Sequence, residues 1–205
     1  HRRVGDDDVV LHGATDADAV YGMIYAQAED NFAQIEANYL AALGRLAEAE
    51  GEAAIWQDLR ARMFVDPERL RRDYAASPVQ LRTLMGAWAA GLNQFLADHP
   101  AVKPRVLATF EPWMALAFTE GSIGADLEGI SVDKLAAFYG ETHASRLEAA
   151  DPTGSNGIAI APRKTRDGHA LLLINPHTSL FFRSELQMTS DEGLDAYGAV
   201  TWGQF

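Results

Sequence analysis

The periodicity of the chain changes at about residue 151, and few folds accommodate both halves. Ahead of that point the sequence is rich in alanine, and its apolar residues recur every three or four positions, the spacing of an amphipathic helix. Phe32, Ile35, Tyr39, Leu43 and Leu46 make one such face, with Thr15 or Asp16 as N-cap and Gly51 as the stop. Ser77-Pro78, a capping residue before a first-turn proline, opens a second helix. This one carries Leu81, Leu84, Met85, Trp88, Leu92, Phe95 and Leu96 on one face and ends near Pro100. A third run spans Pro112 to Phe118, a Gly-rich break follows, and Ser131 opens a short helix reaching Tyr139. Beyond 151 alternation takes over. Ile158 and Ile160 alternate, Asp167-Gly168 supplies a two-residue hairpin turn, and Leu171 to Ile174 form a continuous apolar strand of the kind usually buried on both faces. Residues 182–188 and 197–202 read as further strands. Helices first and strands after predict an α+β chain that changes at about residue 151, with a possible linker near 140–154.

The junction itself carries chemistry. Asp151-Pro-Thr-Gly154-Ser155-Asn156 places a small residue, then a hydroxyl residue, then Asn at the head of a β-run. Scission before Ser155 would give that serine a free α-amino group, which can act as base for its own hydroxyl, so that one residue supplies both nucleophile and base. Gly154, lacking a Cβ, tolerates the strained backbone that attack on its carbonyl requires. Gly-Ser-Asn is also ordinary turn composition, and a hairpin entry in a non-catalytic helical binding module is the competing reading. Intact mass separates the two: a stable pair of pieces split between Gly154 and Ser155 marks the enzyme.

Composition narrows the classes. With 48% hydrophobic residues the chain can build a real core, and it is not disordered. Seventeen basic against 29 acidic residues give a net charge of −12, which opposes binding to a phosphate backbone; nucleic acid is not an expected partner. No apolar run is long enough to span a bilayer, and the first residues, His1-Arg-Arg-Val-Gly-Asp-Asp-Asp, lack the apolar segment of a signal peptide. The chain therefore reads as soluble, with an upstream segment removed or outside the numbering. The absence of cysteine excludes disulfides and thiolate chemistry. Walker, Gly-x-Gly-x-x-Gly, His-Glu-x-x-His and Gly-x-Ser-x-Gly sequences are all absent, and the six histidines show no ligand spacing.

Three segments occur in a telling order: Thr15-Asp-Ala-Asp-Ala-Val-Tyr-Gly-Met-Ile-Tyr-Ala-Gln-Ala-Glu-Asp30, then Gly154-Ser-Asn-Gly-Ile-Ala-Ile-Ala-Pro-Arg163, then His169-Ala-Leu-Leu-Leu-Ile-Asn-Pro-His177. Glu111-Pro-Trp-Met adds a fourth. On these the chain resembles the penicillin acylase (penicillin amidase) family of N-terminal-nucleophile hydrolases, close to its acyl-homoserine-lactone and cephalosporin acylases. The resemblance implies an αββα sandwich, with a mainly helical α-subunit over 1–154 and the first strands of the β-subunit over 155–205. It implies an N-acyl amide as substrate, autocleavage between Gly154 and Ser155, and a heterodimer with the remainder of the β-subunit. Export to the periplasm or medium is implied too. The family's β-subunit is several times longer than 155–205, so the chain is expected to be either a fragment of the precursor or an incomplete numbering of it, inactive alone because the oxyanion-hole donors lie beyond Phe205.

The resemblance also assigns site residues. Ser155 is the nucleophile. His177, in Asn175-Pro-His177, holds the serine amine and its water without taking the proton itself. Asn156 and Asn175 are read as structural. Thr178 stands where several relatives carry an aromatic acyl-pocket residue, a departure that favours an open or aliphatic pocket; Phe118, Phe181 and Phe182, with Met114, would line it. No cofactor is required. A structural calcium ion is implied for some relatives, and in the acidic run around Glu120 the ligand here would be Asp126 or Glu128, against the competing reading of a solvated face.

Overall fold

The computed structural model describes residues 2–4, 8–117, 130–141, 155–176 and 183–205. It divides into two compact units, one formed by His1–Ala144 together with Ser184–Phe205, the other by Ser145–Arg183. Helices and strands are both present, as the α+β pattern requires.

The larger unit begins with two strands, β1 (Arg2–Val4) and β2 (Asp8–Gly13), antiparallel to one another. The helical periodicity of this half does not announce them. Val9, Val10 and Leu11 are too short an apolar run to show periodicity, and what makes them a strand is a partner far along the chain. β2 pairs in parallel with a later strand, here numbered β5 (Arg183–Ser190), with Val9 opposite Leu186, Leu11 opposite Met188 and Gly13 opposite Ser190. β6 (Asp195–Thr201) follows across a turn at Gly193 and completes a four-stranded sheet of order β1-β2-β5-β6. Ser184, Leu186 and Met188 are buried on one face, as the two-residue period of a strand dictates.

Helix α1 (Asp16–Ala42) starts in a full capping box. The Thr15 hydroxyl accepts from the Asp18 amide, and the Asp18 carboxylate accepts from the Thr15 amide. The helix is kinked without proline at Asn31, which has extended φ (−157°) and whose side chain accepts from the Gln34 amide, acting as an internal N-cap. It ends at Leu43, with Gly44 at φ +63°, earlier than the expected stop at Gly51. Gly51 instead closes the short α2 (Ala47–Glu50). α3 (Ile55–Arg62) and α4 (Pro67–Ala76) come next, the second with Asp66 as N-cap and Pro67 in its first turn. Ser77 is therefore the C-cap of α4. The long helix α5 (Val79–Asp98) starts after it with Pro78 in the cap position and no side-chain cap. A 3-10 segment (Pro112–Ala117) and α6 (Val132–Phe138, capped by Ser131) follow.

α1 and α5 pack on each other closely enough to require glycine at 91, where a Cβ would meet Ile24 Cγ2 at 2.5 Å and the Tyr21 carbonyl at 2.8 Å. Between them lies an aromatic core: Trp88 against Tyr39 (ring centroids 5.0 Å apart) and Phe110 (5.9 Å), and Phe32 against Phe95 (5.6 Å). Such pairs add about 0.5–1.5 kcal/mol each beyond simple burial. Buried carboxylates in this unit accept from backbone amides. Glu36 takes those of Arg105, Val106 and Leu107 at 2.7–3.0 Å, and Asp58 those of Leu46 and Ala47 at 2.7 and 2.8 Å. Each ties a loop or helix start to the core.

The segment after β6 enters this core. Gln27, fully buried in the apolar stripe of α1, accepts from the Gly203 amide at 2.7 Å and donates to the Gln204 carbonyl at 3.2 Å. The Gly203 carbonyl accepts from both the Tyr39 hydroxyl (2.9 Å) and the Trp88 indole N–H (2.8 Å). Asn38 donates to the Trp202 carbonyl at 2.9 Å. Gly203 sits at φ +96°, and a Cβ on it would meet Tyr39 Cε2 at 2.8 Å and Ile35 Cγ2 at 3.3 Å, so conformation and space both demand glycine.

The smaller unit contains an antiparallel hairpin, β3 (Ser155–Ile160) and β4 (Leu171–Pro176). Its connection is longer than a two-residue turn. It includes a 3-10 turn at Pro162–Lys164, and Gly168 takes φ +75°. Leu171 to Ile174, expected to be buried on both faces, are exposed, with Leu172 at 69% and Ile174 at 68%. The physical reason is that burial of a strand on both faces is conferred by layers stacked over its sheet, and two strands alone supply none.

Candidate functional site

Ser155 is the first residue of β3, and the register sets its backbone opposite Pro176, the last residue of β4. Asn156 is opposite Asn175 in the next pair of the ladder. Residues that stand about twenty apart in sequence are thus neighbours at one end of the hairpin. The cause is local. The alternation of Ile158 and Ile160 and the short apolar run Leu171-Leu-Leu-Ile174 are strand patterns, and the intervening Pro162, Gly168 and polar residues break the run. Thr165 closes the connection, its hydroxyl meeting the Pro162 and His169 carbonyls at 2.9 and 2.6 Å.

The other expected site residues fall outside the described residues: Gly154, His177, Thr178, Phe118, Phe181 and Phe182, and the carboxylates Asp126, Glu128 and Glu120. Met114, offered as a pocket residue, is buried in the larger unit's core, where its sulfur accepts from the Glu111 amide at 3.4 Å. That is the packing role that methionine fills more often. Among the described residues no group of three or more His, Cys, Asp or Glu is gathered in a way that would hold a metal ion. Also among them, no helix is long and apolar enough to cross a membrane.

The sequence reading missed Gln27, Asn38, Tyr39 and Trp88 as residues that hold a later segment. One signal was available. Gln27 stands three and four residues after Ile24 and Met23 on an apolar helix face, and a buried amide there must find partners.

Comparison with known proteins bears out the resemblance that the three segments carry. The family model for penicillin amidase matches residues 9–205, and the chain belongs to that family. Among its relatives is the penicillin acylase 2 proenzyme of Pseudomonas sp. strain SE83, 26% identical over 219 residues and covering 82% of this chain. Another is the acyl-homoserine lactone acylase PvdQ of Pseudomonas putida, 25% identical over 218 residues and covering 89%. The chain spans 28% of the length of each of these two relatives.

Proposed function

We propose that this chain is part of an N-acyl amide hydrolase of the penicillin and acyl-homoserine-lactone acylase type, matured by autocleavage between Gly154 and Ser155. The observation that carries the reading is the position of Ser155 at the open end of the β3–β4 hairpin, opposite Pro176, so that the residue next in the chain to its partner is His177. In the precursor the Ser155 hydroxyl attacks the Gly154 carbonyl. The amide becomes an ester by N-to-O acyl shift, which frees the serine amine, and water then hydrolyses that ester to release the Gly154 carboxylate and the Ser155 hydroxyl. In the mature enzyme the same oxygen attacks the substrate amide, the α-amine takes its proton and returns it to the leaving amine, and the acyl-enzyme is hydrolysed. His177 orients the amine and its water.

Membership of the family supports the αββα sandwich as the fold of the whole protein, completed by strands outside residues 1–205. The word proenzyme in the name of one relative supports processing into two chains. Thr178 with Phe118, Phe181 and Phe182 forms the acyl pocket, with aliphatic chains preferred over phenylacetyl. Asp126 or Glu128 would help to hold a structural calcium ion, which would stabilise the fold and take no part in the chemistry. The enzyme works in the periplasm or outside the cell.

The test is N-terminal sequencing of the purified, processed protein together with intact mass. The expected result is a chain beginning at Ser155 in the wild type, and a single uncut, inactive precursor in Ser155→Ala. A new N-terminus at any other residue, or cutting that persists in Ser155→Ala, overturns the mechanism.

A further inference from the structure

The first turns of α1 present two different faces. Ala19, Val20, Met23 and Ile24 are buried in the core. Asp18, Tyr21, Gly22 and Tyr25, three and four positions apart, share another face and line a groove of about 280 Å³, together with Leu11 and His12 of β2. Gly22 keeps the groove open. A Cβ there would already meet Leu11 Cδ2 at 3.4 Å, so a longer side chain would fill the space between helix and strand. All six residues belong to the larger unit.

The chemistry of the lining is that of aromatic rings among carboxylates. The half-buried Tyr21 and Tyr25 rings are nearly parallel, 20° apart with centroids separated by 6.5 Å. Tyr25 is fixed by an edge contact with Phe95 (5.9 Å) and by its hydroxyl, which donates to the Asp98 carboxylate at 3.1 Å. Asp18 stands one turn before Tyr21, and its capping bonds from the Thr15 amide and hydroxyl both go to one oxygen, Oδ2. His12 has its Nδ1 3.1 Å from the Thr189 hydroxyl and its Nε2 3.4 Å from the Asp191 carboxylate. Desolvation first, then the hydrogen bond and charge of Asp98 and the charge of Glu29, push the Tyr25 phenol above its ordinary value. Among the described residues the lining includes no lysine or arginine. The faces of aromatic rings are themselves negative and attract cations within about 6 Å, and the chain's net charge of −12 adds a long-range attraction of the same sign. Another groove of this unit, lined by Tyr39, Leu81, Met85, Ala115, Leu116, Gln204 and Phe205, has no charged side chain and gives no such preference.

We propose that this groove is a binding site for a small organic cation of the alkylammonium class, held by the Tyr21 and Tyr25 rings and by the Asp18 carboxylate. The rings attract the charge and cover the alkyl groups around it, and the carboxylate compensates the charge at the rim. A neutral molecule of the same shape gains the apolar contact alone. The site is separate from Ser155 and does not rest on the cleavage reading.

The experiment titrates choline into the full-length protein in low-salt buffer, followed by calorimetry. A second titration uses the uncharged isostere of choline, in which a tert-butyl group replaces the trimethylammonium. Choline is expected to bind saturably, and the isostere at least about fivefold more weakly. Tyr21→Leu is expected to weaken choline binding by about fivefold, while Tyr21→Phe, which keeps the ring, restores it. Asp18→Asn, which retains an oxygen for the Thr15 cap, is expected to weaken it by up to about fivefold. Circular dichroism checks that the variants fold, and if Tyr21→Leu does not, Asp18→Asn decides. The proposal is overturned by the absence of saturable choline binding, by an isostere that binds as tightly as choline, or by unchanged affinity in folded Tyr21→Leu.

Discussion

Trp88 and Leu172 are both large apolar residues in regular secondary structure, yet Trp88 is completely buried and Leu172 is 69% exposed. Around Trp88 the chain has what a core needs. Two long helices are packed face to face, a sheet covers one side, and a returning segment has its backbone groups satisfied by Gln27, Tyr39 and Trp88. Around Leu172 the described residues form a two-stranded sheet. The same apolar chemistry gives rigidity in one region and leaves the other without cover. The serine read as nucleophile heads the hairpin, and the residues that hold the chain together lie in the core. The comparison teaches that the buried contacts and the proposed chemistry draw on different parts of this chain.

The sharpest way to break that comparison is a pair of truncations followed by urea denaturation. Trp88→Ala removes a buried indole and its hydrogen bond to Gly203, and is expected to cost about 3–5 kcal/mol. In residues 1–205, Leu172→Ala is expected to change stability by less than about 0.5 kcal/mol, as exposed substitutions do. In the longer protein the same substitution costs about 2–5 kcal/mol under the sandwich reading, because further strands would then bury Leu172. Equal costs for Leu172→Ala in the two lengths would remove the sandwich's claim on the hairpin.

His177→Ala tests the division from the side of chemistry. As a residue that orients the amine, its loss should lower turnover of the cut enzyme by about 10- to 100-fold, less than loss of Ser155, while leaving the thermal midpoint of the precursor unchanged. Wild-type turnover across pH in a properly cut His177→Ala enzyme would end its assigned role.

The smallest expected effect concerns alkali. Burial pushes the Tyr39 phenol well above its ordinary value. Below about pH 10 the folded and unfolded chains both keep that proton, and the group's full contribution is present. Above it the unfolded chain ionises first, so stability falls as pH rises, by at most about 1.4 kcal/mol per pH unit from this group. Tyr25, raised by desolvation and by its hydrogen bond to Asp98, adds a second contribution of the same sign. Urea midpoints between pH 9 and 11 should therefore fall less steeply in Tyr39→Phe than in the wild type. Identical slopes would show that the phenol is not held in the core.

Much of the helical half was legible in the sequence. Phe32, Ile35, Tyr39 and Leu43 are buried at the spacing that announced them, and Met85, Trp88, Leu92 and Phe95 likewise. Thr15 caps α1 and Ser131 caps α6, because capping is a matter of a few adjacent residues. The hairpin at Ser155 and the strands near 183–190 and 195–201 were legible for the same reason. The early stop of α1 at Leu43–Gly44 was not, since Leu46 continues the apolar spacing across the break. Asn31 gave no periodic sign of its kink.

What the sequence by itself determined is local: which stretches are helical or extended, where most of them begin, and the serine-headed motif that marks the family. The tertiary structure alone decided that Val9 to Leu11 form a strand, by giving them Leu186 to Met188 as partners. It alone decided that Gln27 and Tyr39 bind the backbone of a glycine more than 160 positions away. The physical reason is the range of the forces. Helix periodicity and capping are set within one or two turns, whereas a parallel ladder and a buried amide get their partners only when distant segments meet, and no pattern in the nearby residues records which segments those are.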